Sequence, residues 1–226
     1  SACLVGSEMC IRDSPWADQL ASGREVEAEL RRMRELFLRW NPSTTMKCAI
    51  FEENGNRHDM QRVLGHVTLQ NAVRRMGDFV LTSCAANALQ PYRQNDNGWD
   101  QGQVFFTPSQ VWGMPPYYAQ QMAAAHHRPL TVGCGVEGAD GVLDVTATRS
   151  REAGSVVLHI ANTGAEPLRV GLRVDGMGKV SQARMVSLSG DLDAVNTPEE
   201  PRRIAPVGRE LPAWAAQTVD IAPYSY

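Results

Sequence analysis

Glu52 and Glu53 stand side by side at the end of an apolar run, Met46–Phe51, and are followed by Asn54-Gly55-Asn56. Carboxylates in such a place suit acid, base or nucleophilic chemistry, because α/β folds carry their catalytic groups at the carboxyl ends of parallel strands. Successive strand residues face opposite sides, so at most one of the two can face a barrel interior. The same residues would equally make an ordinary solvated loop. A second polar cluster comprises Asn87 and then Asn95-Asp96-Asn97-Gly98-Trp99-Asp100-Gln101. Planar amides and carboxylates bond to hydroxyls while an indole face covers apolar C–H groups, a mixture that suits a sugar. A turn-rich surface loop anchored by a buried Trp has the same composition. His58 and His66 are eight residues apart, His126 and His127 are adjacent, and HxxxH is absent, so these histidines read as surface or packing residues. No metal and no cofactor is expected.

These groups need elements to hold them. Gly23–Trp40 reads as a charged amphipathic helix, with Val26, Leu30, Met33, Phe37 and Leu38 at three- and four-residue steps and Asn41-Pro42 as its stop. Met46–Phe51 is a continuous apolar run of strand length, the pattern of a parallel strand buried on both faces. His58–Met76 reads as a second helix, with Met60, Val63, Leu64, Val67 and Val73 as its buried stripe and Gly77 as its stop; Phe79–Ser83 follows as a second buried strand. Helix, strand, helix, strand is the repeat of a parallel sheet, either a barrel or an open sheet.

The chain changes character near Pro129. Beyond it, strand candidates at Leu130–Val136, Val142–Arg149, Ser155–Asn162, Leu168–Val174 and Gln182–Ser187 are separated by Gly138–Gly141, Asn162-Thr163-Gly164 and Asp175-Gly176, an antiparallel β-sandwich pattern. Asp193–Arg209, rich in Pro and Arg, reads as a long loop lying over that sandwich.

Composition narrows the classes. The 226 residues are 43% hydrophobic and 21% charged, with 22 Lys and Arg against 25 Asp and Glu. No basic stripe alternates with aromatics, so no nucleic-acid partner is expected. No apolar run approaches the ~18 residues of a membrane span, so no membrane partner is expected either. The five cysteines are odd in number and widely spaced, without zinc spacing, which argues against a disulfide framework or a structural zinc site. Ser1–Ser14 has neither an initiator Met nor a signal-peptide pattern. Its run Cys3–Ser14 resembles translated adapter read-through, so residues 1–14 are set apart as a non-native prefix.

Several segments in order carry a family resemblance. Cys48–Val80 (CAIFEENGNRHDMQRVLGHVTLQNAVRRMGDFV), Ser83–Pro91, Asn95–Trp112 and Pro115–Met122 resemble the C-terminal half of family 51 α-L-arabinofuranosidases. Ser189–Pro206 and Ala222–Tyr226 resemble that family's C-terminal β-domain. The resemblance implies an α/β plus all-β chain: the last strands and helices of a partial (β/α)8 TIM barrel over 15–128, then an antiparallel, jelly-roll-like β-sandwich over 129–226. It implies retaining glycosidase chemistry with two Glu residues, an acid/base in an Asn-Glu pair after the fourth strand and a nucleophile after the seventh. Met46–Phe51 would be the seventh strand and Phe79–Ser83 the eighth. The family nucleophile is followed by one variable residue and often by Asn, which selects Glu52, with Glu53 in reserve. Asn54, His58, Asn87 and Trp99 are the expected substrate-binding residues. Where members carry a substrate-binding Gln three residues before the Asn, this chain has Cys84.

A full barrel takes ~250 residues, and the chain contains no Asn-Glu pair. The sequence therefore predicts a fragment that holds the attacking carboxylate, lacks the acid/base, and is inactive alone. The expected partner is an arabinose-containing carbohydrate, and self-association into a homo-oligomer is an expectation for the full-length protein. Two other readings stand beside this one: a carbohydrate-binding or structural module, and a related retaining glycosidase acting on another sugar. Residues 130–210 contain no Trp, Tyr or Phe, which favours a structural β-domain over a sugar-binding one.

Overall fold

The computed structural model describes residues 2–4, 16–55, 57–94, 100–152, 154–176, 180–213 and 217–226. The chain mixes helices with several small sheets. Strand β1 (Ala2–Leu4) is followed by helix α1 (Trp16–Trp40), β2 (Lys47–Glu53), α2 (Met60–Arg75), a single 3-10 turn at Gly77–Phe79 and β3 (Val80–Ala85). These strands form a parallel sheet in the order β1-β2-β3, with Cys3 opposite Cys48 and Glu53 opposite Ala85. Among the described residues this sheet has three strands and is not closed. Short strands β4 (Leu89–Pro91), β5 (Val104–Phe106) and β6 (Val111–Gly113) form a second sheet before α3 (Pro115–Ala125).

After α3 the strands are antiparallel. β7 (Leu130–Val132), β8 (Leu143–Arg149) and β9 (Val156–Asn162) make one sheet, while β10 (Leu168–Leu172) pairs with β13 (Gln217–Ile221) and β11 (Ala183–Ser187) with β12 (Val207–Leu211). A cavity of about 350 Å³ lies between β9 and these pairs, walled by Leu158, Ile160, Leu172, Met185, Leu211 and Val219. Among the described residues, no helix is long and apolar enough to cross a membrane.

Local chemistry explains the helix ends. Asp59 caps α2 by accepting from Arg62 N at 3.1 Å, and Arg57 Nε holds that carboxylate at 2.8 Å. Gly77, at φ 61°, supplies the left-handed residue that ends the α2 region. Pro115 and Pro116 open α3, where their missing N–H groups cost nothing. Gly23 lets α1 approach α2, since a Cβ there would stand 2.9 Å from the Thr68 backbone.

The core is shared between the two parts of the chain. Leu30, Cys48, Ile50, Met76, Phe79 and Val80 pack α1 onto the parallel sheet. Met60, Val63, Leu64 and Val67 of α2 and Tyr118, Ala119 and Met122 of α3 pack with Ala161, Leu188, Ala194, Ile204 and Tyr226 from the later part. The segment around 190–205 thus packs with α2, α3 and Ala161 of β9 and is tied to β6, and the end of the expected loop, Val207–Arg209, is part of strand β12. Asn196 fixes it there. Its side chain bonds Gly113 O (2.8 Å) and both Ile204 O and N (2.9 and 2.7 Å), while Trp112 Nε1 donates to its backbone oxygen at 3.3 Å.

Asn71, fully buried, joins α2 to β8. Its Nδ2 donates to Asp144 O (3.2 Å) and Oδ1 (2.7 Å), and its Oδ1 accepts from Thr146 Oγ1 (2.7 Å) and Arg74 Nη1 (2.8 Å). All four hydrogen-bonding positions of the amide are used. Arg75 adds bonds to both Asp144 oxygens and to Glu27. Asn71→Leu keeps the volume but strips partners from buried Thr146 and from Arg74, and should cost on the order of 3 kcal/mol in denaturant unfolding. A loss below the scatter of the measurement would remove Asn71 as the junction.

Buried His159 places Nδ1 2.9 Å from Tyr226 Oη. Burial, aided by Arg74, His126 and His127, pushes its pKa down to about 3. The unfolded chain then binds a proton that the folded chain refuses, so this residue makes stability fall from about pH 6.5 toward about 3. Between pH 6.5 and 5.5 His159→Gln should lose less of its melting midpoint than the parent protein; equal losses would sink the assignment.

Candidate active site

Both carboxylates lie within β2 itself rather than after it, at a stretch where the pairing with β3 is irregular, and their surroundings differ. Glu52 is exposed, whereas Glu53 is only 6% exposed and turns toward α2. Glu53 Oε2 meets His66 Nδ1 at 2.9 Å, and Glu53 Oε1 accepts from Ser83 Oγ of β3 at 2.9 Å. Its backbone oxygen takes Arg62 Nη2 at 3.2 Å and Ala86 N at 3.1 Å. Gln70 Nε2 lies 2.9 Å from His66 Nε2, which extends the buried chain along α2. Burial alone would push the Glu53 carboxyl up; the His66 ring, the Arg62 guanidinium and the Ser83 hydroxyl outweigh it and hold the group below its ordinary value of 4.5.

Glu52 belongs to a different network. Asn54 Nδ2 donates to Glu52 Oε1 at 3.1 Å, Gln101 Nε2 donates to Asn54 Oδ1 at 2.9 Å, and Gly55 N donates to Gln101 Oε1 at 3.0 Å. Gly55 rests on the Arg62 guanidinium with no room for a Cβ, which ties this network to the buried one. His58 places Nδ1 3.2 Å from Asp100 Oδ1 and packs its ring 5.0 Å from that of Phe105. Gln90 steadies the same loop by donating to Asp100 Oδ1 at 2.8 Å and accepting from Gly102 N at 2.9 Å.

Asn87 follows β3 two residues after the partner of Glu53, so it lies at the same end of the sheet. Its Nδ2 reaches Leu89 O at 3.4 Å, and its buried Oδ1 has no partner. An unpartnered buried acceptor at a rim can take a bond from a ligand hydroxyl. Cys84 is exposed, with its sulfur 3.7 Å from Thr82 Oγ1. Trp99 lies outside the described residues. Among the described residues, no three His, Cys, Asp or Glu side chains gather as a metal site requires.

The structure therefore joins Glu52 directly to Asn54 and brings His58 to the same loop through Asp100. It sends Glu53 elsewhere. His66, expected as a surface or packing residue, and Gln101, one member of a polar run in the sequence, are bonded to Glu53 and to Asn54; the place of His66 beside the apolar stripe of α2, thirteen residues after Glu53, is the available signal for the first. A carboxyl held low contributes stability that is complete above its unfolded value near 4.5 and lost as pH falls through the folded value. Glu53→Gln should cost about 3 kcal/mol at pH 7 and should flatten the loss of stability below pH 4.5. Parallel pH dependence in the two proteins would show that Glu53 carries no such charge.

Residues 41–225 match the family model described as the alpha-L-arabinofuranosidase C-terminal domain. No curated protein matches the sequence. Among solved structures, the fold is similar to an alpha-L-arabinofuranosidase from Thermotoga maritima in an arabinose complex, with TM-score 0.78 and 17% identity over 99% of this chain and 50% of that one. A thermostable GH51 alpha-L-arabinofuranosidase from Thermotoga petrophila RKU-1 gives 0.81 and 17% over 94% and 49%. A family 51 alpha-L-arabinofuranosidase from Bifidobacterium longum gives 0.68 and 14% over 100% and 50%. The chain spans about half the length of these proteins, and at such identities the likeness is one of fold.

Proposed function

The chain belongs to the family of α-L-arabinofuranosidase C-terminal domains, and from that premise we propose that it is the nucleophile-bearing half of a retaining α-L-arabinofuranosidase acting on terminal arabinofuranosyl units. In this reading β2 and β3 are the last two strands of a (β/α)8 barrel, and the antiparallel region after α3 is an appended sandwich. Phe51 and Leu81, 58% and 61% exposed on those strands, suit a sheet face that the rest of a barrel covers. The observation that carries the reading is the exposed Glu52 at the carboxyl end of a parallel strand, accepting a hydrogen bond from Asn54.

Retaining chemistry needs a second carboxyl ~5–5.5 Å from the first. Glu52 would attack the anomeric carbon while that second group protonates the leaving oxygen, giving a glycosyl-enzyme that water releases with the original configuration. Glu53, turned to His66 and Ser83, is poorly placed to be that second group. It would come from an Asn-Glu pair outside these 226 residues. Asn54, His58, Asn87 and Trp99 would bind the sugar, an arabinose-containing carbohydrate being the partner. The 226 residues alone are expected to show no turnover, and the complete protein is where a homo-oligomer would be sought.

The test is hydrolysis of an aryl α-L-arabinofuranoside by the complete protein and by the 226-residue chain. Glu52→Gln in the complete protein should lower kcat by roughly three orders of magnitude or more, and proton NMR should show first-formed arabinose of retained configuration. Inverted product, or turnover by the 226 residues alone that Glu52→Gln abolishes, would overturn the two-part site.

A further inference from the structure

Gln101 is 4% exposed and sits between the backbone of Gly55 and the side chain of Asn54. The direction of each bond in this chain follows from its first member. A backbone N–H can only donate, so Gly55 fixes Oε1 of Gln101 toward itself. Gln101 must then present Nε2 to Asn54, and Asn54 must offer its Oδ1. The remaining end of the Asn54 amide is Nδ2, which therefore faces Glu52. Gly55 cannot easily shift, because it rests on the buried Arg62, and Arg62 is bonded to Glu53 O.

We propose that Gln101 is a positioning residue which, through Asn54, sets both the place of the Glu52 carboxylate and the sense of the hydrogen bond it receives. This rests on the reading of Glu52 as the nucleophile. A free Asn54 amide could turn either end to Glu52, and its oxygen would repel the carboxylate. Gln101 removes that choice, so Glu52 meets an N–H before substrate arrives. A preset partner of this kind spares reorganisation at the moment of attack.

A double-mutant cycle in the complete protein tests this, reading the rate of covalent trapping by a 2-fluoro-arabinofuranosyl donor from intact mass. Gln101→Met should slow trapping about tenfold, and Asn54→Asp, which turns an oxygen toward Glu52, about a hundredfold. Because the two act in series, the double variant should be no slower than Asn54→Asp alone. The donor concentration giving half-maximal trapping should stay nearly constant for Gln101→Met. Gln101→Glu keeps the bond from Gly55 but cannot donate to Asn54; it should be at least as slow as Gln101→Met, and it decides the matter if that variant fails to fold. Losses that multiply in the double variant, or a Gln101→Met protein that melts lower yet traps at the parent rate, would overturn the relay. Label attached to Glu52→Gln protein would overturn the nucleophile assignment itself, and the relay with it.

Discussion

Helix α2 is buried on nearly every side, and that constraint organises the rest. A surface helix would leave its polar residues in water; here Arg62, His66, Thr68 and Asn71 are buried along with Met60, Val63, Leu64 and Val67. Each of these polar groups finds a partner, three of them on other elements, because an unpaired group in a dry interior is costly. Asn71 finds β8, His66 finds the Glu53 side chain of β2, Arg62 finds the Glu53 carbonyl, and Thr68 falls back on Leu64 O and Gly65 O of its own helix. The apolar residues meanwhile face α3 and the segment around 190–205. One helix thereby sets how the parallel sheet, the antiparallel sheets and the long connecting segment meet.

The division between Glu52 and Glu53 follows from the same constraint. Glu53 is turned to His66 of α2 and Ser83 of β3, while Glu52 stays exposed beside Asn54. Burying Glu53 would carry a desolvation cost alone, but His66, Ser83 and Arg62 surround it with donors and positive charge. Once Glu53 is held between β2, β3 and α2, the orientation of Glu52 is no longer free to drift with the strand end. Gly55 against Arg62 passes that rigidity one step further, to the loop that carries Gln101.

Much of this was legible in the residue order, and what was not has physical causes. The stripe of Val26, Leu30 and Met33 marked α1, and the unbroken apolar run before Glu52 marked β2, because periodicity and β-propensity are local properties. α1 extends seven residues further toward the N-terminus than Gly23, at Trp16, since Gly23 is retained as a close-packing site and does not start the helix. Short β4, β5 and β6 escaped notice because three residues carry no readable period. The segment after Asp193 reads as loop from its composition, but Asn196 and Ile204 decide where a loop docks, and that depends on Gly113, Trp112 and Met60 far away in sequence. The choice of Glu52 as the nucleophile, with Glu53 in reserve, rests on resemblance, while alternation says only that at most one of the two can face a barrel interior. Their actual sides depend on His66 and Ser83, which no window of sequence around residue 52 contains.

The networks also bear on how a two-part active site can be assembled. Each described hydrogen bond that positions Glu52 originates between residues 53 and 101, within one folded neighbourhood of α2, β2, β3 and the loop after β4. The attacking side of the proposed site is thus organised by local contacts, and its geometry does not depend on the carboxyl that would face it. The exposed faces of Phe51 and Leu81 are in the opposite condition, since nothing among the described residues covers them. In the proposed barrel, closure would bury that apolar surface, and the free energy would come from the hydrophobic effect rather than from the polar groups at the rim. Such a separation allows the two carboxylates to be brought to a fixed spacing by non-directional packing below the site, while direction is supplied at the mouth by the amides of Asn54 and Gln101.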